Sequence, residues 1–384
     1  MKQRRFNGIH MLVSALAGML ATLLVLALLL GPQSLSLVTA WGAVRTRFVG
    51  DYDPDKALDS ALNGLVYGLD DRWSYYLNAE DSVRQRERED NRYVGIGVTV
   101  AYSDPRGLAL MAVYPGGPAE KAGLKVGEVI TAVDGASAAG EENQQTAVDA
   151  IKGEAGTKVT LTVLDANGKS REVTVTRAAV EGRLVSYELL DNGVGYVAVT
   201  HFYTGCAGQF NSAVDDLVDQ GATALVFDMR NNGGGYVREL TDMLDHLLPE
   251  GPIFRSRDVL GVEEVVQSDK NYVNLSMAVL VNEDTYSAAE IFAAQLQESA
   301  GALIVGVETS GKGYSQQSVS LPNGGELHLS TAKYTTGAGV SLVGAGVTLD
   351  AEAALTEEER QALNMGQLSH EADPQLQKAL ELLK

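Results

Sequence analysis

Three residues in the C-terminal half have the types and spacing for acyl-transfer chemistry: Ser287, Lys312 and Gln316. Ser287 opens Ser287-Ala-Ala-Glu290, between an apolar run from Met277 to Asn282 and an alanine-rich segment with Ile291, Phe292 and Leu296. That order reads as strand, tight turn and helix, with the serine at the helix start. Lys312 stands between Gly311 and Gly313, 312 − 287 = 25 residues on, and Gln316 follows four residues later. A serine hydroxyl becomes a useful nucleophile when a neighbouring base takes its proton, and a lysine kept neutral by burial can be that base. Each piece also has a plainer reading. Ser287-x-x-Glu290 is a capping box for a helix N-terminus. A lysine between glycines is commonly a loop lysine, although the glycines permit a tight turn and close approach of the backbone.

The elements that must position these residues include a second strand–turn–helix unit upstream. Ala222 to Asp228 reads as a buried parallel strand, Met229 to Gly235 as a loop, and Val237 to Leu248 as a helix with apolar residues at helical spacing. Two such units bring two loops to the C-terminal edge of one sheet, where α/β proteins place their sites. Gly233-Gly234-Gly235 could turn backbone N–H groups toward a developing anion with no Cβ in the way; a flexible turn is the alternative. A P-loop is excluded, because the Gly-Lys-Ser/Thr ending is missing.

Taken together, Asn231-Asn232-Gly233-Gly234-Gly235, Ser287-Ala-Ala-Glu290 and Gly311-Lys312-Gly313 with Gln316 resemble the motifs of the carboxyl-terminal processing proteases, or tail-specific proteases. The resemblance runs from about Asp51 to the C-terminus. It implies an α/β fold: a crotonase-like ββα protease core, an inserted PDZ domain and a helical N-terminal part. It further implies Ser287 as nucleophile, Lys312 as base and Gln316 orienting the lysine. The oxyanion would be held by N–H groups of Gly234 and Ala288, with Gly233 or Gly235 as equal alternatives to Gly234. Neither a cofactor nor a metal is implied.

Residues 93–180 resemble a PDZ domain. Gly95-Ile96-Gly97 resembles the loop that receives a C-terminal carboxylate, for which glycine-flanked N–H groups form a suitable nest. An extended peptide would add to the strand from Val98 to Ala101. Pro115 to Leu124 matches the turn and short helix of such domains, and Val126 to Gly135 the strand after it. Val159, Leu161 and Val163 alternate with polar residues, as in a half-buried strand. Two departures from the family pattern stand out: Asp71-Arg72 where Asp-Pro is usual, and Leu349 where proline usually precedes Asp350.

The remaining segments divide the chain into 1–40, 41–92, 93–180, 181–350 and 351–384. Lys2, Arg4 and Arg5 precede an uncharged run from Met11 to Leu30, long enough to span a bilayer as a helix. The poor cleavage site after it favours an uncleaved transmembrane anchor over a cleaved signal, with the basic end in the cytoplasm. The protein is therefore expected to be a single-pass membrane protein with its catalytic part outside the cytoplasm, or secreted if that segment is cut. Residues 51–92 read as helical, with a stripe of Leu58, Leu62, Leu65, Val66 and Leu69. The charged piece from Asp81 to Arg92 reads as an exposed connection. Asp373 to Leu383 reads as an amphipathic closing helix.

Composition narrows the function. The chain of 384 residues is 45% hydrophobic and carries 30 basic and 50 acidic residues, for a net charge of −20. Such a charge excludes nucleic-acid binding, since phosphates would be repelled. The single cysteine, Cys206, rules out an intramolecular disulfide and reads as a small buried residue. His201, His246 and His328 are the candidates for a histidine base; His201 is the hardest to set aside, the other two reading as surface or structural. No His-Glu-x-x-His zinc motif is present. The expected partners are proteins or peptides with free, unstructured C-termini, the membrane through the N-terminal helix, and optionally further copies of the chain. One rival is a non-catalytic, membrane-anchored PDZ module that binds tails. The other is a hydrolase or lyase of acyl-thioesters.

Overall fold

The computed structural model describes residues 11–19, 21–22, 31–102 and 104–384. Lys2, Arg4 and Arg5, together with residue 20 and residues 23–30 of the expected anchor, lie outside the described residues. Among the described residues no helix is long and apolar enough to cross a membrane. The chain forms two compact units, Met1–Leu62 and Asn63–Lys384. The first contains α1 (Pro32–Arg47), which leaves Leu35, Leu37 and Val38 exposed. α2 (Pro54–Tyr67) starts where Asp53 Oδ1 accepts the N–H groups of Asp55 and Lys56. Within α2 only Val66 of the expected apolar stripe is buried.

In the second unit β1 (Tyr75–Leu77) precedes α3 (Ala79–Glu89). The segment expected as an exposed connection is therefore mostly helix. Asn78 caps it by accepting Asp81 N–H at 2.9 Å, and Arg84 pairs with Glu80 and Asp81 one turn back. Such i,i+3 and i,i+4 pairs favour a helix even where few residues are apolar.

An antiparallel ribbon of β2 (Arg92–Gly95) and β9 (Ala178–Glu181) brackets the next core. Its sheet has the order β3 (Val98–Ala101), β4 (Leu108–Val113), β5 (Val129–Val133), β7 (Lys158–Leu164), β8 (Ser170–Thr176), with β6 (Ala136–Ser137) on β5. Two helices, α4 (Pro118–Lys121) and α5 (Glu141–Ile151), complete it. The alternation expected of β7 is present: Val159, Leu161 and Val163 are fully buried, with more exposed residues between them.

The larger core is built on a six-stranded sheet. Its order is β10 (Val185–Leu189), β11 (Val194–Val199), β12 (Ala224–Asp228), β15 (Ser276–Val281), β16 (Leu303–Gly306), β19 (Ala351–Glu352). Only β10–β11 is antiparallel. β12 is buried at every position because helices cover both faces, which explains its unbroken apolar run. On one face α6 (Cys206–Asp219), α7 (Val237–Leu247) and α8 (Ala288–Ala300) pack over Leu225, Phe227, Met277 and Val279. Phe210, Phe227 and Phe292 meet there with ring centroids 5.3 to 5.7 Å apart. Such buried side chains contribute about 1.5–3 kcal/mol each. Cys206 is fully buried in this core, and burial pushes its thiol up to about 12, consistent with an inert residue. On the other face Leu376, Ala379 and Leu380 of the closing helix α10 (Pro374–Leu382), which follows α9 (Glu357–Asn364) in the chain, cover Val226, Ala278 and Leu280. A second sheet, β1–β18–β13–β14 with β17 on β18, flanks the site; β13 is Gly251–Asp258, β14 Glu263–Ser268, β17 Tyr314–Ser320 and β18 Glu326–Thr335.

Candidate active site

Parallel strands β11, β12 and β15 end together, and asparagines tie the ends to one another. Asn232 Nδ2 donates to the Val199 carbonyl at 2.8 Å, and Asn282 Oδ1 accepts Asn231 N–H at 2.8 Å. Thr285 Oγ1 donates to the Met229 carbonyl at 2.8 Å, and Tyr286 N–H to the Asn232 carbonyl at 3.1 Å. These bonds fix the glycine loop against the turn that carries Ser287. The three glycines are closely packed: an added Cβ at Gly233 would lie 2.5 Å from Tyr286 Oη, at Gly234 2.8 Å from Ser287 Cβ, and at Gly235 2.4 Å from the Phe202 carbonyl oxygen. Such contacts rule out a loose, flexible turn.

Ser287 takes the N-cap of α8 with φ 61° and ψ −124°, a backbone conformation costly for a residue with a side chain. Glu290 holds it there. This carboxylate, with 0% of the residue exposed, accepts Ser287 N–H and Lys312 N–H on Oε2, each at 3.0 Å. Its Oε1 accepts Thr309 Oγ1–H at 2.6 Å and Gly311 N–H at 2.8 Å. Serine and glutamate do stand in a capping-box arrangement. Glu290 N–H, however, also donates to the Ser287 carbonyl oxygen at 3.0 Å, so the hydroxyl is not needed as the cap. The capping box and the Ser287-Ala-Ala-Glu290 motif are thus the same residues, with the carboxylate joining the serine's backbone to the lysine's.

Lys312 is 7% exposed. The close-packed Gly311 and Gly313 admit the loop at Val343–Gly344, whose Gly344 N–H donates to the Gly311 carbonyl at 2.9 Å. Tyr334 Oη donates to the Lys312 carbonyl at 2.7 Å. The ammonium end, Nζ, donates to Gln316 Oε1 at 2.6 Å and lies 4.9 Å from the centroid of the Trp73 ring. Gln316 Nε2 in turn donates to the Trp73 carbonyl. Burial pushes Lys312 down to about 8, against the opposing carboxylates of Asp71 and Glu290. Asp71 sets the Trp73 turn by accepting Trp73 N–H at 3.1 Å and Ser74 Oγ–H at 2.6 Å. Arg72, where proline is usual, lays its guanidinium 4.1 Å from the Trp73 ring and donates to the Ser310 carbonyl at 3.2 Å.

Ser287, Ala288, Lys312, Gln316 and all three glycines line one cavity of about 410 Å³. Lys312 Nζ makes its hydrogen bond to Gln316, and none to Ser287 Oγ. Of the three glycine N–H groups held equal for the oxyanion, that of Gly234 donates to Asn232 Oδ1 at 2.9 Å. Ala288 opens α8, where the N–H has no partner within the helix and the dipole favours an anion. Of its expected surface or structural roles, His328 does not take the surface one. It is 7% exposed, stacks on Tyr75 with centroids 4.5 Å apart and lines the same cavity. His246 pairs with Asp215 at 3.0 Å, away from the site.

A second cavity, of about 970 Å³, runs between β3 and α5 over Ile96, Val98, Val100, Val148 and Ile151. Gly97 lines it with φ 76°, while Gly95 pairs with Ala178 at the end of β2. Trp73, Tyr334 and the asparagine ties escaped the sequence reading. The polar cluster at the ends of apolar strands was a signal for Asn231, Asn232 and Asn282; nothing in the sequence pointed to Trp73.

The family signature of peptidase family S41 matches residues 193–353, and that of the PDZ domain matches residues 110–165. The carboxy-terminal processing protease CtpA of Bacillus subtilis (strain 168) is 32% identical over 302 residues, 78% of this chain and 64% of that protein. The chloroplastic C-terminal processing peptidase of Tetradesmus obliquus is 30% identical over 335 residues, 82% of this chain and 72% of that protein. This chain belongs to the carboxy-terminal processing proteases. The S41 and PDZ matches agree with the family that the sequence motifs implied. The chain spans about 64% of the length of the Bacillus relative. A solved S41 protease structure from Bacteroides fragilis NCTC 9343 shares the fold, with a TM-score of 0.55 and 19% identity over 88% of this chain and 92% of that one.

Proposed function

We propose that this chain is a membrane-anchored, extracytoplasmic endopeptidase that binds substrate C-termini through its PDZ domain and cuts with a Ser287/Lys312 dyad. The observation that carries the dyad is Glu290, which accepts hydrogen bonds from the backbones of both residues at 3.0 Å. Ser287 Oγ attacks the scissile carbonyl carbon and its proton passes to neutral Lys312 Nζ. Nζ, held by Gln316 at rest, turns toward Oγ as substrate enters. The C–N bond then breaks as Nζ returns the proton to the leaving amine. A water, deprotonated by Nζ, hydrolyses the acyl-enzyme and frees Ser287. Ala288 N–H and an N–H of Gly233 or Gly235 hold the oxyanion. Gly97 and its neighbours receive the substrate's terminal carboxylate.

The architecture proposed for this work is a crotonase-like core with the PDZ domain inserted at 93–180. Residues 1–40 serve as a single-pass anchor. Its support is the uncharged run from Met11 to Leu30 behind Lys2, Arg4 and Arg5.

The test incubates the full chain with an unstructured protein ending in small apolar residues, beside Ser287→Ala and Lys312→Ala. Products are read by mass spectrometry. Cleavage is expected from the parent alone. Cleavage that survives Lys312→Ala refutes the proposed base. A parent that binds the tail tightly and cuts nothing supports the non-catalytic PDZ module.

A further inference from the structure

The segment after β11 belongs to both cavities. His201 and Tyr203 line the cavity that holds Ser287 and also the groove between β3 and α5. Their rings stack with centroids 4.6 Å apart and planes 16° from parallel. Phe202 between them turns the other way and is fully buried against Phe292. That alternation is what an extended strand imposes. The segment is fixed in place: Phe202 N–H donates to the Gly234 carbonyl at 2.9 Å, and Tyr236 N–H to the Phe202 carbonyl at 2.8 Å. The two rings are therefore anchored to the same glycine loop that faces Ser287.

Beside the ring pair, α3 also lines both cavities. Gln85 and Glu89 face the Ser287 cavity, and Arg84, Glu87 and Arg88 face the groove. Thr204 N–H donates to the Glu89 carbonyl at 3.0 Å, so helix end and ring pair are tied together. Tyr236 Oη donates to Glu89 Oε2 at 3.1 Å on the cleft side. The ring pair thus forms a common wall between the tail groove and the nucleophile.

We infer that His201 and Tyr203 are substrate-positioning residues, a paired-ring wall over which one extended peptide passes from the tail groove to Ser287. The inference rests on the tail-binding reading above. Imidazole and phenol together offer flat apolar faces and hydrogen-bonding edges, which suit a peptide backbone of any sequence. Burial pushes His201 below its ordinary value, so at neutral pH the ring is uncharged and does not repel or attract side chains by sign. A wall of this kind acts most strongly on substrates that occupy both sites.

The experiment compares two substrates of the full chain. One is an unstructured protein with a free apolar C-terminus. The other is a short peptide spanning the same cleavage site with an amidated end, which occupies the cleft alone. For His201→Ala, KM for the tailed protein is expected to rise about tenfold, the size of one lost hydrogen bond or ring contact. Its kcat should stay within about twofold, and the amidated peptide, which meets only the cleft side of the wall, should lose less than the tailed protein. His201→Phe keeps the stack on Tyr203 and should recover part of the KM lost in His201→Ala, which a folding loss would not explain. Equal losses on both substrates, or a fall in kcat, would overturn the inference and return His201 to a structural or chemical role. Unchanged kinetics on both would overturn it as well. A parent indifferent to a free or amidated tail would instead sink the tail-binding reading, and this inference with it.

Discussion

Replacing Glu290 by glutamine separates a helix cap from a part that positions catalytic groups. The carboxylate takes four donors in a fully buried place: Ser287 N and Lys312 N on one oxygen, Thr309 Oγ1 and Gly311 N on the other. Glutamine keeps one acceptor oxygen. Its better orientation leaves that oxygen on Ser287 and Lys312 and turns the amide toward Thr309, whose hydroxyl can accept. Gly311 N–H then loses its partner, which costs about 1–3 kcal/mol. The bonds that remain lose their charge assistance, about 1 kcal/mol each. The sum is about 3–5 kcal/mol, borne by the residues that fix the nucleophile against the base. A displacement of about 1 Å between such groups costs about 10²-fold in rate. Kinetics on an amidated peptide should therefore show kcat down about 10²-fold with KM nearly unchanged, while a urea melt shows the stability loss and tail-peptide anisotropy stays at the parent value. A parent-like kcat in a destabilised Glu290→Gln would refute the reasoning, because the carboxylate would then be a cap and nothing more.

With Lys312 as the proposed base only its neutral form is active, so with its value near 8 the kcat/KM profile should rise with pH through about 8 and level off above it. Because the folded value lies below the free lysine value of about 10.4, the unfolded chain binds the extra proton between them. Folding stability from this group accordingly grows with pH across about 8 to 10.4, by ~3 kcal/mol at most, which denaturant melts across that window would read. Trp73→Ala admits water to Nζ and should move the rising limb of the rate profile toward higher pH; an unmoved limb would show that Trp73 does not keep the amine dry. Asp373→Ala removes one of two carboxylates on buried Arg230, whose Nη2 lies 2.7 Å from Asp373 Oδ2, along with the cap of α10. Urea melts should register a loss of about 3 kcal/mol, the low end for a broken buried pair, since Asp228 stays in contact.

Local pattern carried much of this protein into its sequence. The apolar run of β12 announces a strand covered on both faces, the period of Val159, Leu161 and Val163 announces a strand with one buried face, and Ser287-x-x-Glu290 announces a helix start. These signals depend on neighbours within a few residues, and such neighbours are read directly off the chain. Charged α3 was missed for the complementary reason. Its sequence has no apolar stripe, and its helix is held by ion pairs one turn apart and by the Asn78 cap.

What only the tertiary structure decided is where separate stretches meet. Ser287 and Lys312 are named by sequence as nucleophile and base, yet their backbones are joined by a carboxylate whose partners lie 19 to 22 residues away. The Trp73 ring lies 4.9 Å from Lys312 Nζ in space, while Trp73 is 243 residues from Gln316 in sequence. Gly233, Gly234 and Gly235 stand level as oxyanion donors in the sequence, and only the fold gives the Gly234 N–H to Asn232. Residue type and spacing determine what each group can do. Which donor finds which acceptor, and how dry a lysine becomes, depends on burial and on contacts across the chain, and these exist only once the sheets and helices have packed.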